Sequence, residues 1–311
     1  MLDKTLLDKS SIFARTAIRN YLDGEADFFF AQAGISFELL GKALLCTHHP
    51  SLIIGRDFDS LLQVCGAGTH SKRPLGNIRT IGAKEVLKRV IQLRPRLGGY
   101  ETKLSLLIDL RNGVVHLGSS DPALLKGILL PFLSGTRILL EALQIELEQF
   151  YGEFTKMVQT HLDDAAVDAE RTVAEKLARA EAVYRDKYAQ LDPSSLETVI
   201  RAIEGSYVLS RYEEELIECP ACEHLGIISG SYTMEWEPDD WDESGPTSVS
   251  PVVTLFPGYF ACKVCGLELD GEEELSAADI EEPIQIEDVD PEDFYEPDPD
   301  YDYYADYWMG R

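Results

Sequence analysis

Positive charge is scarce in this chain. Its 311 residues hold 28 Lys and Arg against 55 Asp and Glu, for a formal net charge of −27. Spread evenly, that balance would argue against nucleic acid as a partner, because binding there rests on cations that displace counterions from phosphates. The spread is uneven. Residues 271–311 carry 16 acids against Arg311 alone, whereas residues 1–160 are close to neutral. Long apolar runs are missing too: no uninterrupted stretch approaches the ~20 residues that span a bilayer, so no membrane partner is expected. The opening MLDKTLLDKSS has acids and no apolar h-region, so it does not read as a signal peptide and a cytoplasmic location is expected. Cysteine is limited to Cys46, Cys65, Cys219, Cys222, Cys262 and Cys265. Without a secretion signal, that set argues against a disulfide framework. Repeats at solenoid periods are absent.

What is present is mostly helical pattern. SSIFARTAIRNYL places Ile12, Phe13, Ala17, Ile18 and Leu22 on one stripe behind serine N-cap candidates. ADFFFAQAGISFELLGKALLCTHH is apolar over a wide arc, which suits the middle of a bundle, and Pro50 stops it. FDSLLQVC leads into a Gly-rich basic loop at 66–82, and KEVLKRVIQLRP and residues 99–117 are further helices. Residues 121–154 read as one helix bent or broken around Pro131 and Gly135. From Leu162 through Ala166, Ala169, Val173, Leu177, Ala180, Tyr184 and Tyr188 to Leu191 runs a narrow stripe on a polar helix. Such a stripe is either a coiled-coil seam for a second copy or the inner face of a peripheral helix. One more helix is expected over 192–218, capped by Asp192 or Ser194.

At Cys219 the pattern changes class. LGIISGSYTMEW and SPVVTLFPGYFAC are rich in β-branched and aromatic residues and read as strands, with EPDDWDESGPTS as an acidic loop between them. After Leu269 acids, prolines and tyrosines dominate, the composition of a disordered tail. The chain therefore reads as mainly α. A helical bundle occupies 1–155, and a helical extension offering dimerisation helices occupies 156–215. A small β zinc ribbon fills 216–270, and an acidic, aromatic-containing tail covers 271–311.

The strongest chemical signal is C-P-A-C at 219–222 with C-K-V-C-G at 262–266. Two C-x-x-C turns offer four thiolates to one tetrahedral ion, so Cys219, Cys222, Cys262 and Cys265 are the expected ligands of a structural Zn2+; a redox dithiol is the alternative. Gly266 suits the tight turn after the second pair. Four thiolates saturate zinc and leave no open position for catalysis. Cys46 and Cys65 follow apolar residues and read as inert core thiols, and His224 reads as a surface residue.

A second candidate site lies in LSLLIDLRNGVVHLG at 104–118. Leu104, Leu107, Ile108, Val114 and Val115 keep helical spacing, which leaves Arg111, Asn112 and His116 at the edge of the apolar stripe. Asn112 and His116 share a face, and Arg111 lies ~140° around from His116. An arginine and an imidazole so placed can bracket a phosphate. The bland alternative is a helix end whose Arg111 pairs with Asp109 or another acid and whose His116 is buried and satisfied.

Together with AGISFELLGKALL at 33–45, the segment LIDLRNGVVH at 107–116 resembles the HEPN superfamily, over about the first 145 residues. The resemblance implies an up-and-down helical bundle that forms a homodimer, so that two such motifs meet in one cleft. It also implies a metal-independent endoribonuclease, often the effector of a toxin–antitoxin or antiviral defence system. Other members are non-catalytic adaptors that bind partner proteins. Carried over by motif, Arg111, Asn112 and His116 are the catalytic set, and Glu38 stands in the family's recurring E-L-L position. One subgroup has a tyrosine two residues after the histidine. Gly118 stands there in this chain, so regulation by modification at that point is not expected.

The chemistry is consistent with those residue types. RNA carries its own nucleophile in the 2′-hydroxyl, so cleavage requires a base, charge stabilisation at phosphorus and in-line geometry. His116 can accept or donate the proton, Arg111 suits the developing negative charge, and Asn112 can orient either. The products would be 2′,3′-cyclic phosphate and 5′-hydroxyl ends. Lys72, Arg73, Arg79, Lys88 and Arg89, on the basic loop and the helix after it, are expected to track the RNA backbone. The tail adds Phe294, Tyr295, Tyr301, Tyr303, Tyr304, Tyr307 and Trp308 to its acids. It reads as an occupant of the basic channel, as a docking segment for an inhibitor or partner protein, or as a solubility tail. The ribbon is a second surface for a protein partner.

Overall fold

The computed structural model describes residues 2–242, 245–287 and 289–294. Helices dominate, and a small antiparallel sheet with the cysteine cluster lies towards the C-terminus. α1 (Leu2–Leu22) packs along α2 (Ala26–His48). Their close approach uses small residues. Buried Ser10 and Ser36 exchange bonds, Oγ of each donating to the other's carbonyl at 2.7 and 2.9 Å. α2 is the central helix, with α1, α4 (Ala83–Leu93), α5 (Glu101–Leu117) and α6 (Leu125–Ala142) around it. Its wide apolar arc thus has partners on most sides, as its sequence requires. Phe29, Phe30, Phe37, Leu40 and Leu44 are all buried. By length and composition two stretches, Ala26–His48 and Pro122–Ala142, could cross a membrane, but 67% and 56% of their apolar windows lie inside the fold. Counting uninterrupted apolar runs passes over both.

α3 (Phe58–Val64) carries the basic loop, which an isolated bridge between Ile54 and Thr80 returns towards α4. α6 continues unbroken through Pro131 and Gly135, so of the expected bend or break there the break does not occur. The break comes later, where Gln144 takes a left-handed φ of 57° and α7 (Leu147–Tyr151) begins. α8 (Thr155–Tyr188) then extends past the bundle. Most of its stripe is turned inward, with Ala166 and Leu191 left exposed. Val158 and Leu162 close the bundle core, while Val173, Ala180 and Tyr188 join a second core with the ribbon. α9 (Pro193–Glu204), capped by Asp192 through the N–H groups of Ser194 and Ser195, stops at Gly205. The helix expected to reach residue 218 ends there, and 214–218 are strand instead.

The sheet runs β1 (Glu214–Glu218), β2 (Leu225–Asp242), β3 (Gly245–Ala261), β4 (Glu268–Asp270), with β5 (Ile284–Ile286) also on β3. β2 and β3 form one long hairpin, paired from Ile227↔Ala261 to Asp242↔Gly245. The stretch expected as an acidic loop is therefore mostly the outer part of that hairpin. The acidic tail also departs from expectation over its described part. α10 (Glu272–Ala277) is a helix with Leu275 fully buried, and β5 is a strand. Residues 295–311, which hold most of the tail's aromatics, lie outside the described residues.

The first acids of that segment tie the two cores together. Glu272 pairs with Arg96, Glu273 accepts from Tyr100 Oη at 2.5 Å and Ser134 Oγ at 3.3 Å, and Glu274 pairs with Lys176 of α8 at 2.5 Å. Burial and the Glu273 carboxylate push the Tyr100 phenol well above its ordinary range. Ser231 Oγ of β2 donates to Pro95 O at 3.0 Å. The 3-10 turn Pro95–Tyr100, which leads into α5, is therefore held by the base of the ribbon hairpin and by α10.

Candidate functional site

Two places carry chemistry. The first is the cysteine cluster. Each C-x-x-C sits on a chain reversal of the same design. Glu223 N–H donates to Cys219 O at 3.0 Å and Gly266 N–H to Cys262 O at 2.8 Å. Each reversal is closed by the first cysteine's N–H, on His224 O at 2.8 Å and on Leu267 O at 2.9 Å. The residue after each pair is left-handed, with φ of 61° at Glu223 and 77° at Gly266. The reversals bring all four Sγ atoms within 4.8 Å of one another, every one buried. Cys219 and Cys265 are 3.6 Å apart at sulfur, Cys222 and Cys262 3.7 Å.

Tetrahedral zinc with Zn–S bonds of about 2.3 Å needs sulfur–sulfur edges of about 3.8 Å, and a disulfide needs about 2.0 Å. The cluster fits a metal ion and is compatible with structural zinc. Hydrogen bonding among the sulfurs lowers the Cys219 and Cys262 thiols and raises Cys222 and Cys265, so proton release would accompany metal binding. His224 donates no fifth ligand; its Nε2 is 2.8 Å from Tyr184 Oη of α8. Cys46 is buried, and burial pushes its thiol up to about 11, as an inert core thiol requires. Cys65 is exposed, contrary to expectation, because it falls at the C-cap of the short α3.

The second place is the end of α5. α2 and α5 run antiparallel, Asp27 Oδ1 accepting from Ser120 N–H at 2.8 Å while Gly34 abuts Arg111. A Cβ on Gly34 would lie 2.7 Å from Arg111 Cβ, so glycine is what lets the arginine's stem cross the helix interface. Arg111 does not pair with Asp109, which is held by Lys84 at 2.7 Å. Its Nη2 donates to Glu38 Oε2 at 2.6 Å and its Nη1 to Asn112 Oδ1 at 2.8 Å. Glu38 Oε1 accepts in turn from Lys42 Nζ at 2.6 Å, and Lys42 also reaches Thr80 Oγ1 at 2.9 Å. His116 is exposed one turn beyond Asn112 and has no hydrogen bond or ion pair among the described residues. Val115 and Leu117, its neighbours in sequence, are exposed by 60% and 84%, and Phe28 of α2 by 59%.

Lys42 is the residue that motif spacing missed. Its signal was present, since a lysine four residues after a glutamate inside an otherwise apolar helix needs a buried partner. The expected RNA-contacting residues divide. Lys72, Arg79 and Lys88 are exposed and make no ion pair among the described residues. Arg73 pairs with Asp57 at 3.0 Å. Arg89 is structural: it pairs with Glu85 and donates to Leu52 O at 2.7 Å, satisfying a carbonyl of the 3-10 turn after α2. No protein-family model, no curated protein and no solved structure matches this chain. Its own geometry therefore carries the reading of both places.

Proposed function

We propose that the chain is a HEPN-type, metal-independent endoribonuclease whose active site is completed by a second copy. One observation carries this reading: two cations, Lys42 and Arg111, share the single carboxylate of Glu38, and the helix that bears Arg111 carries an exposed, unpartnered imidazole five residues on. One positive charge is left over in a partly shielded place, where it acts on an anion more strongly than in bulk water. Arg111 has its planar end fixed before any substrate arrives, which lowers the reorganisation needed to meet a phosphorane. His116 takes the proton of the 2′-hydroxyl as its oxygen attacks phosphorus, and the 5′-oxygen leaves with a proton from the second imidazole. Asn112 Oδ1 steadies Arg111 and leaves its amide N–H groups to donate to a phosphate oxygen. The exposed Phe28, Val115 and Leu117 are the apolar surface on which a second copy would seat.

The cysteine cluster takes no part in this chemistry and acts as a structural centre. A non-catalytic adaptor is the second reading, favoured by the fact that Arg111 already has a carboxylate partner. Cleavage of RNA in magnesium-free buffer separates the two. The expected result is 2′,3′-cyclic phosphate ends, with activity lowered at least a hundredfold by His116→Ala and by Arg111→Ala. Equal cleavage by wild type and His116→Ala would leave the adaptor.

A further inference from the structure

Phe58 stands in the open at the first position of α3, with 68% of its surface exposed. A large ring so placed is costly in water unless something covers it. Its two sequence neighbours are both turned to holding the basic loop. Asp57 pairs with Arg73 and caps Ser60, while Asp59 Oδ1 accepts from Lys72 N–H at 2.8 Å. Ser60 Oγ accepts from Arg79 N–H at 2.9 Å. The loop is thereby tied to the first turn of α3, where Phe58 stands, with Lys72 and Arg79 exposed on it and Arg56 exposed two residues before the ring. Asp57 is engaged by Ser60 and Arg73, and the first of these contacts holds its carboxyl below its ordinary range. Lys72, Arg79 and Arg56 keep no ion pair among the described residues.

This loop is also joined to the α5 site. Thr80, next to Arg79, accepts from Lys42, and Lys42 shares Glu38 with Arg111. A polar path thus runs from the loop to the arginine.

We propose that Phe58 is a stacking platform for an unpaired nucleobase, and that Lys72 and Arg79 hold the flanking phosphates of a single strand leading towards Arg111. An exposed aromatic face on an element that holds a basic loop suits a single strand: its bases are free to stack, whereas a duplex hides them. The inference deepens the ribonuclease reading and rests on it for the direction of the strand. A protein segment would also cover an apolar ring, but the exposed cations Arg56, Lys72 and Arg79 on the segments held at the start of α3 favour a polyanion.

The test is binding of a labelled single-stranded RNA oligonucleotide to the full chain by fluorescence anisotropy, beside a duplex of the same sequence. Phe58→Ala is expected to weaken single-strand binding by about 5- to 100-fold and to leave the weaker duplex binding unchanged. Phe58→Trp is expected to keep the affinity and to show quenching of the new indole on binding. Lys72→Ala and Arg79→Ala should each flatten the salt dependence by about 0.7 in the log–log slope. Because the ring is exposed, an unchanged melting temperature of Phe58→Ala will separate loss of contact from loss of fold. Single-strand affinity unaffected by Phe58→Ala, or equal losses for duplex and single strand, would overturn the platform while leaving any cleavage by the α5 site intact. Loss of binding in a chain that never cleaves RNA would leave the platform and remove the nuclease. A wild-type chain that binds neither RNA overturns both.

Discussion

The bundle and the ribbon are held together by different physics. The bundle buries large side chains from several helices, among them Phe29, Phe30, Phe37, Phe132 and Tyr151. The ribbon's core has four cysteines at its centre, with Ile228, Leu255, Phe260 and Leu269 about them. A core of the first kind is stabilised by area and packing, and degrades by increments as side chains are trimmed. A core of the second kind would gain from a bound ion, which would tie its two cysteine turns together at one point. The halves nevertheless share α8 and are joined by the three successive acids of α10. Stability of the ribbon therefore reaches the turn Pro95–Tyr100 that sets the start of α5.

The sharpest way to break this comparison is to take the ion away. Chelation, or Cys262→Ser, should remove on the order of 10 kcal/mol of apparent metal-binding free energy. Strand signal and amide protection across 225–261 are expected to vanish while the helices of the bundle persist. If circular dichroism shows both halves melting in one transition, the shared α8 dominates and the two cores are not separate.

A smaller effect is expected from the bundle side. Gly34→Ala puts a methyl 2.7 Å from Arg111 Cβ, between two buried helices. Overpacking of that kind costs about 1–3 kcal/mol. The melting temperature of the bundle should fall by several degrees with metal content unchanged, and RNA cleavage should fall as Arg111 is displaced from Glu38. A normal melt together with normal cleavage would show that the two helices separate easily there.

The smallest effect compares the two cysteine turns with each other. Both place a residue in the left-handed region, but one uses Gly266 and the other Glu223. A Cβ at Gly266 would meet nothing within 4 Å, so any penalty there is conformational. Gly266→Ala is expected to destabilise the ribbon by about 1 kcal/mol, and Glu223→Gly to stabilise it by somewhat less. Thermal melts of the metal-bound chain check both signs, and a stabilising Gly266→Ala would contradict the backbone account.

Local pattern was a good guide where one periodicity governed a segment. α2, α4 and α5 lie close to where their apolar spacing puts them, and Gly118 ends α5 with a φ of 79°. It failed where tertiary contact overrode propensity. Glu214–Glu218 reads as the end of a helix, yet it pairs with β2 because Leu225–Ser229 offers an open edge. Glu272–Ala277 reads as a solvated acidic run, yet Arg96, Tyr100, Ser134 and Lys176 give its carboxylates partners that lie far away in sequence. Pro131 reads as a break, yet α6 continues because its buried face on α2 and α5 outweighs one lost hydrogen bond.

The sequence by itself determined the helical class of the first half, the strands of the long hairpin and the four thiols that could hold a metal ion. Each of these rests on spacing along the chain, which needs no knowledge of what packs where. Only the tertiary structure decided which cations are free and which are spent. Arg89, Arg73 and Arg96 look alike in sequence to Lys72 and Arg79, but the first three are taken by Glu85 and Leu52 O, by Asp57 and by Glu272. It also decided that the seam of α8 faces its own ribbon, and that Lys42 and Arg111 share Glu38. Such pairings depend on which distant segments meet, and a side chain's charge becomes available to a ligand only when no neighbour in the fold has claimed it.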